Sequence, residues 1–167
     1  MLEHTDMDEV WFVVSPQNPL KERRTLLADH HRLAMVREAI EDNYRMRASD
    51  VEFHLPIPSY TVVTLAQLSD RHPDKRFSLI MGGDNLENFR RWRNWEHIIE
   101  NYEIFVYPRP GAVANDLVQH PHVHLVDVPM MDISSSYIRR QIAEGHPPRY
   151  LLTEPVFKYL TEMHFYE

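Results

Sequence analysis

The chain has 167 residues, of which 43% are hydrophobic and 26% charged, a balance that suits one folded domain over 1–167 with a real core and excludes a disordered polymer. Eighteen Lys and Arg against 25 Asp and Glu give a net charge of −7. That argues against nucleic acid as the main partner but leaves room for a small phosphorylated ligand held by a local cluster of donors. The absence of cysteine excludes disulfides and thiolate metal sites. No apolar run approaches the roughly 20 residues of a membrane span, and no signal-peptide pattern opens the sequence, so no membrane partner and a cytoplasmic location are expected.

In chain order, Trp11-Phe12-Val13-Val14 is a continuous aromatic and β-branched run that reads as a strand buried on both faces, stopped by Ser15-Pro16. Leu26, Leu27, Leu33, Met35, Val36, Ala39 and Ile40 recur at helical spacing and predict a helix over about 25–41. After the stiff Pro56-Ile57-Pro58, Ser59 reads as the N-cap of a helix carrying Val62, Val63, Leu65, Ala66 and Leu68. Phe77 to Met81 predicts a second strand, ended by Gly82-Gly83-Asp84, with a helical stretch over about 85–100 behind it. Ile104 to Tyr107 and Val123 to Val128 predict two more strands, and two helices, near 135–144 and 154–163, close the chain. Strands alternating with helices imply an α/β fold with a mostly parallel sheet. In such sheets ligands sit beyond the carboxyl ends of the strands.

The residues able to carry chemistry fall there. Gly82 and Gly83 let backbone approach a ligand, and Asp84 either accepts from ribose hydroxyls or caps the next helix. Ser134-Ser135-Ser136 opens a helix after a strand and loop. Its free N–H groups and positive dipole end suit phosphate, with Arg139 about a turn further on, though an ordinary serine cap with a solvent-facing arginine has the same pattern. Tyr60 and Thr61 begin another helix whose amides suit a carboxylate, with a plain cap as the alternative. Trp92 and Trp95 either stack on a flat heteroaromatic ring or simply pack. His120, His122 and His124 alternate as metal ligands can, but with no acidic or cysteine partner in the segment a solvated face is expected. The same holds for His30 and His31 in their helix.

Taken in order, these segments resemble a known family. Ser15-Pro16-Gln17-Asn18-Pro19 with Lys21, Pro58-Ser59-Tyr60-Thr61, Gly82-Gly83-Asp84-Asn85-Leu86, Trp92, Tyr107-Pro108-Arg109-Pro110-Gly111 and Ile133-Ser134-Ser135-Ser136-Tyr137-Ile138-Arg139 together are similar to the bacterial nicotinate-mononucleotide adenylyltransferases. The likeness runs from about Val10 to Tyr166 and includes Leu152-Thr153-Glu154-Pro155-Val156 and Tyr159. The serine motif ending in Ile-Arg is shared by nucleotidylyltransferases generally, whereas Ser-Tyr-Thr and Gly-x-Asp with Trp point to the nicotinate branch.

The resemblance implies a Rossmann-like nucleotidylyltransferase fold and adenylyl transfer from ATP to nicotinate mononucleotide with Mg²⁺, giving deamido-NAD and pyrophosphate. It implies ATP binding by Gly82, Gly83, Asp84, Ile133, Ser134 and Arg139, with Ser134, Ser135 and Arg139 as the catalytic group on the phosphates. It places Thr61, Trp92, Arg93, Lys21 and Arg109 on nicotinate mononucleotide. Arg93 departs from the aromatic residue that many members carry. The family also opens with a strand, a glycine loop and a His-x-Gly-His pair. The glycines here are 82, 83, 111 and 145, and none fits that pattern. The expectation is therefore a chain without that strand and most of the first helix, impaired in turnover and either poorly soluble or associating through an exposed sheet edge as a homo-oligomer. A non-catalytic nucleotide sensor and a phosphopantetheine-type adenylyltransferase are the alternative functions.

Overall fold

The computed structural model describes residues 1–16, 27–113 and 115–167. Lys21, assigned above to the mononucleotide, lies outside them. The elements in order are β1 (Val10–Val13), α1 (Asp29–Ile40), β2 (Met46–Ser49), α2 (Thr61–Arg71), β3 (Leu79–Gly82), α3 (Gly83–Glu87), α4 (Trp95–Asn101), β4 (Ile104–Tyr107), β5 (Val123–Leu125), α5 (Ser135–Ala143) and α6 (Glu154–Glu162). Every strand pairing among the described residues is parallel, as helix-linked strands require.

The strands form two sheets, β1-β2 and β3-β4-β5. Val10 N–H donates to Arg45 O and Val14 N–H to Ser49 O, so the backbone groups of Trp11 and Val13 face the edge away from β2. Leu79 N–H donates to Glu103 O, which turns Ile80 and Gly82 toward the edge away from β4. Both edges are unpaired among the described residues. Side chains nevertheless link the halves. The Trp11 ring stands edge-on to Phe77 at 5.4 Å and to His72 at 4.9 Å, and Glu9 accepts from Trp11 Nε1 at 2.7 Å and lies 3.4 Å from Lys75 Nζ.

The core lies on the larger sheet. Met81, Ile104, Val106 and Val123 from its strands meet Leu65, Leu86, Phe89, Ile98 and Ile99, with Phe89, Ile98 and Ile104 fully buried. On the other side α1 packs against α6, where His31 Nδ1 lies 2.9 Å from Tyr159 Oη.

Several elements differ from the sequence expectation. The helix over 85–100 is three short pieces: α3, a 3-10 turn at Phe89–Arg91, and α4. Asn94 breaks it, with φ of 52°, a left-handed conformation that asparagine tolerates because its side chain is short and polar. The strand expected to reach Val128 ends at Leu125. Strand β2 was not foreseen, because Met46-Arg47-Ala48-Ser49 has no apolar run and owes its shape to pairing with β1. Ser59 is not a cap: Tyr60 is the N-cap residue of α2, and no side chain caps that helix start.

Candidate functional site

Because the strands of each sheet are parallel, the turns after β3 and β4 leave the larger sheet at one end, and the segment after β5 leads from that end to α5. The turn after β3 is closely packed. A Cβ added to Gly82 would stand 2.5 Å from Asp84 Oδ1 and 2.7 Å from Arg109 Cγ, and one on Gly83 would stand 3.1 Å from Ala112 Cβ. The glycines are needed first because two protein loops meet there. Arg109, from the loop after β4, holds its Nε 3.8 Å from Asp84 Oδ1. That loop is tied down by Val113 N–H donating to Glu87 Oε1 at 2.8 Å and Asn115 Nδ2 donating to Leu86 O at 2.9 Å. Asp84 remains half-exposed and lies in the first turn of α3, whose N-cap is Gly82. Its carboxylate therefore has free acceptor capacity toward solvent on the side not taken by Arg109.

A second group forms around the start of α2. The Arg93 guanidinium lies over the Tyr60 ring at 4.7 Å, which brings the Trp92-Arg93 segment to Thr61. Trp92 is partly buried against Phe89, ring centroids 5.4 Å apart, and Trp95 stands edge-on to the same Phe89 at 6.2 Å. Both tryptophans thus do pack, as the plain alternative held, and Trp92 keeps an exposed part. The α2 start carries no side-chain cap, and its Thr61 and Val62 amides precede the first intrahelical donors, Val63 and Thr64. Beneath it lies a buried carboxylate that the sequence reading did not single out. Glu52 accepts from Ser59 Oγ at 2.6 Å and from Thr64 Oγ1 at 2.7 Å. The available signal was a glutamate seven residues before Ser59 in a segment otherwise rich in apolar and proline residues.

The third group stands apart. Ser134 caps α5, its Oγ accepting from Tyr137 N–H at 3.2 Å, so the ordinary cap reading holds for that hydroxyl. Ser135 and Ser136 are exposed at the first turn. Arg139 is partly exposed and turns toward its own helix start and Tyr166. Its Nη2 donates to Ser136 Oγ at 3.2 Å, and its guanidinium lies 6.0 Å from the Tyr166 ring. Burial pushes the Tyr166 phenol above its ordinary range, while Arg139 and Arg32 pull the other way. Ile133 is partly buried just before this helix. No hydrogen bond among the described residues joins this group to either of the others.

Elsewhere, His124 Nε2 pairs with Glu103 Oε2 at 2.5 Å and His122 Nδ1 with Ile99 O at 2.8 Å. The acidic partner absent from the local segment thus comes from the residue before β4, although no metal-binding cluster occurs among the described residues. A shallow cavity of about 440 Å³, lined by Arg90, Trp95, Asp116 and His120 among others, includes none of the residues that the resemblance assigns to either nucleotide.

Residues 1–141 match the cytidylyltransferase-like family. A "probable nicotinate-nucleotide adenylyltransferase" of Flavobacterium johnsoniae is 47% identical, aligned over 100% of this chain and 88% of its own length. The protein of the same name from Christiangramia forsetii is also 47% identical, over 100% of this chain and 87% of its own. This chain belongs to the nicotinate-nucleotide adenylyltransferase family. The fold agrees: the Plasmodium falciparum nicotinic acid mononucleotide adenylyltransferase complexed with NaAD superposes with a TM-score of 0.77 at 20% identity, covering 95% of this chain and 82% of that one. As a member of that family the chain is a nucleotidyltransferase with a Rossmann-like fold, and no helix among the described residues is long and apolar enough to cross a membrane.

Proposed function

We propose that the three groups divide two nucleotides between them and that the reaction is adenylyl transfer from ATP to nicotinate mononucleotide. The observation that carries this reading is the uncapped start of α2 beside Arg93 and Trp92. Free amides at a positive helix end, a guanidinium and an aromatic face together suit a pyridine ring bearing a carboxylate. Thr61, Trp92 and Arg93 take the nicotinate end of the mononucleotide, with Lys21 and Arg109 toward its remainder. Gly82, Gly83 and Asp84 take the ATP ribose. Ile133, Ser134, Ser135 and Arg139 take the ATP phosphates at the start of α5.

The chemistry needs no protein nucleophile. An oxygen of the mononucleotide phosphate attacks the α-phosphorus of ATP, a new P–O bond forms, and the bond to the bridging oxygen breaks as pyrophosphate leaves. The protein's work is to hold two polyanions in line and offset the charge gathering on pyrophosphate. Arg139 and the α5 amides supply that at one end. Arg109, whose Nε lies 3.8 Å from Asp84 Oδ1, can do so at the other. Mg²⁺ accompanying ATP would supply further charge neutralisation beside Arg139 and the α5 amides.

The resemblance gives triphosphate contacts also to a His-x-Gly-His pair that these 167 residues do not contain. The test is deamido-NAD formation from ATP, Mg²⁺ and nicotinate mononucleotide, by this chain and by one carrying such a unit upstream. Phosphopantetheine and nicotinamide mononucleotide serve as competing substrates. Preferred turnover of nicotinate mononucleotide supports the reading; preferred turnover of phosphopantetheine, or nucleotide binding without pyrophosphate release in both chains, refutes it.

A further inference from the structure

Glu52 is only 7% exposed, and a carboxylate so placed needs a reason. It lies in a 3-10 turn at Val51–His54 that follows β2, and it reaches across to α2. Its two oxygens divide between two hydroxyls: Ser59 Oγ donates to Oε2 at 2.6 Å, and Thr64 Oγ1 donates to Oε1 at 2.7 Å. Ser59 and Thr64, also buried, flank the first turn of the helix on either side of Tyr60 and Thr61. One side chain therefore fixes both the chain entering α2 and the first full turn of α2.

The consequence lies in what Ser59 does not do. A serine just before a helix ordinarily turns its oxygen onto the amides two or three residues ahead. Here those amides belong to Thr61 and Val62, and no side chain caps them. The Ser59 hydroxyl is drawn down to Glu52 instead. We propose that Glu52 is a positioning residue for pyridine-carboxylate recognition: by holding Ser59 and Thr64 it keeps the first α2 amides open for the ligand's carboxylate. The inference rests on the assignment of α2 to the nicotinate end. It adds the residue on which the choice between a nicotinate and a nicotinamide ring depends, because a carboxylate uses two open donors where a carboxamide oxygen uses one well.

The test is equilibrium binding of nicotinate mononucleotide and nicotinamide mononucleotide, followed through tryptophan fluorescence, in the wild-type chain, Glu52→Gln and Ser59→Ala. Melting temperature and ATP affinity are measured in parallel. Glu52→Gln keeps the shape but places an amino group against one hydroxyl, which frees that hydroxyl to turn. The preference for the acid over the amide should fall about tenfold, a loss in the range for a hydrogen bond to a charged group, with ATP affinity unchanged. Ser59→Ala removes the competing cap together with one latch bond and should leave the preference within about threefold of wild type, even if Glu52→Gln proves too unstable to study.

A fall in melting temperature with an unaltered acid-to-amide ratio in Glu52→Gln would make Glu52 a structural latch only and overturn the proposal. Tighter acid binding in Glu52→Gln would do the same, since Glu52 would then be merely a repelling charge. Loss of the preference in Ser59→Ala equal to that expected of Glu52→Gln would also overturn it, by making Ser59 itself a ligand contact. If the wild-type chain prefers neither ring, the functional assignment and this inference fall together, a pattern distinct from all the others.

Discussion

The starts of α2 and α5, both proposed above as anion sites, are built in opposite ways. At α2 the helix start rests on buried Glu52, Ser59 and Thr64, has no side-chain cap, and has Arg93 beside it over the Tyr60 ring. At α5 the start is exposed, Ser134 caps it, and no residue of the helix is buried. One end is formed before any ligand arrives; the other is held in place by little beyond its cap and the Arg139 contacts. A small carboxylate must be distinguished from a carboxamide by fixed donors, whereas a triphosphate with Mg²⁺ carries enough charge to organise a looser site.

Substitutions can break this contrast, and the largest effect is expected at the supporting core. Phe89→Ala empties a fully buried position under Trp92 and should destabilise the fold by about 3–5 kcal/mol. Tyr137→Ala, on exposed α5, should cost less than about 1 kcal/mol. Thermal or denaturant unfolding of the two variants checks the difference, and equal losses would remove the contrast. Next in size is Arg139→Ala, which should weaken ATP binding by roughly tenfold or more while leaving nicotinate mononucleotide affinity and the melting temperature near wild type. Titration with each nucleotide alone separates the two. Trp92→Ala should do the reverse, reducing affinity for the pyridine nucleotide by about 5- to 10-fold, the worth of an aromatic stack.

How much of this was legible in sequence depends on whether the cause was local. The strands over Trp11–Val13, Leu79–Met81 and Ile104–Tyr107 announce themselves as apolar runs, and the serines before α5 announce a helix start. Strand β2 is invisible because its pairing partner, not its composition, makes it a strand. The break at Asn94 was hidden because its neighbours keep a helical apolar spacing while one left-handed residue redirects the chain. Within the site, Gly82, Gly83, Asp84, Thr61 and Trp92 stand out by their motifs. That Arg109 meets Asp84, that Arg93 covers Tyr60 and that Ser59 answers to Glu52 are contacts between distant segments, and single positions do not record them.

A smaller effect concerns neither helix start and serves as a control on the electrostatics. The bond from His124 holds the Glu103 carboxyl below its ordinary value of 4.5, aided by His122 and Arg76 nearby. A depressed folded-state value means that this contribution is complete above the ordinary value and is lost as pH falls through the folded one. Glu103→Gln should therefore flatten the decline of melting temperature below about pH 4.5 and leave nucleotide affinities unchanged at neutral pH. An unchanged acid limb would remove Glu103 from the account.

The most direct test of the division between the two helix starts is a crystal structure of the protein with nicotinate mononucleotide and a non-hydrolysable ATP analogue. The nicotinate carboxylate is expected within hydrogen-bond distance of the Thr61 and Val62 amides with its ring against Trp92, and the triphosphate at Ser134 to Arg139. A pyridine ring lying at Gly82–Asp84, or a carboxylate at α5, would contradict it.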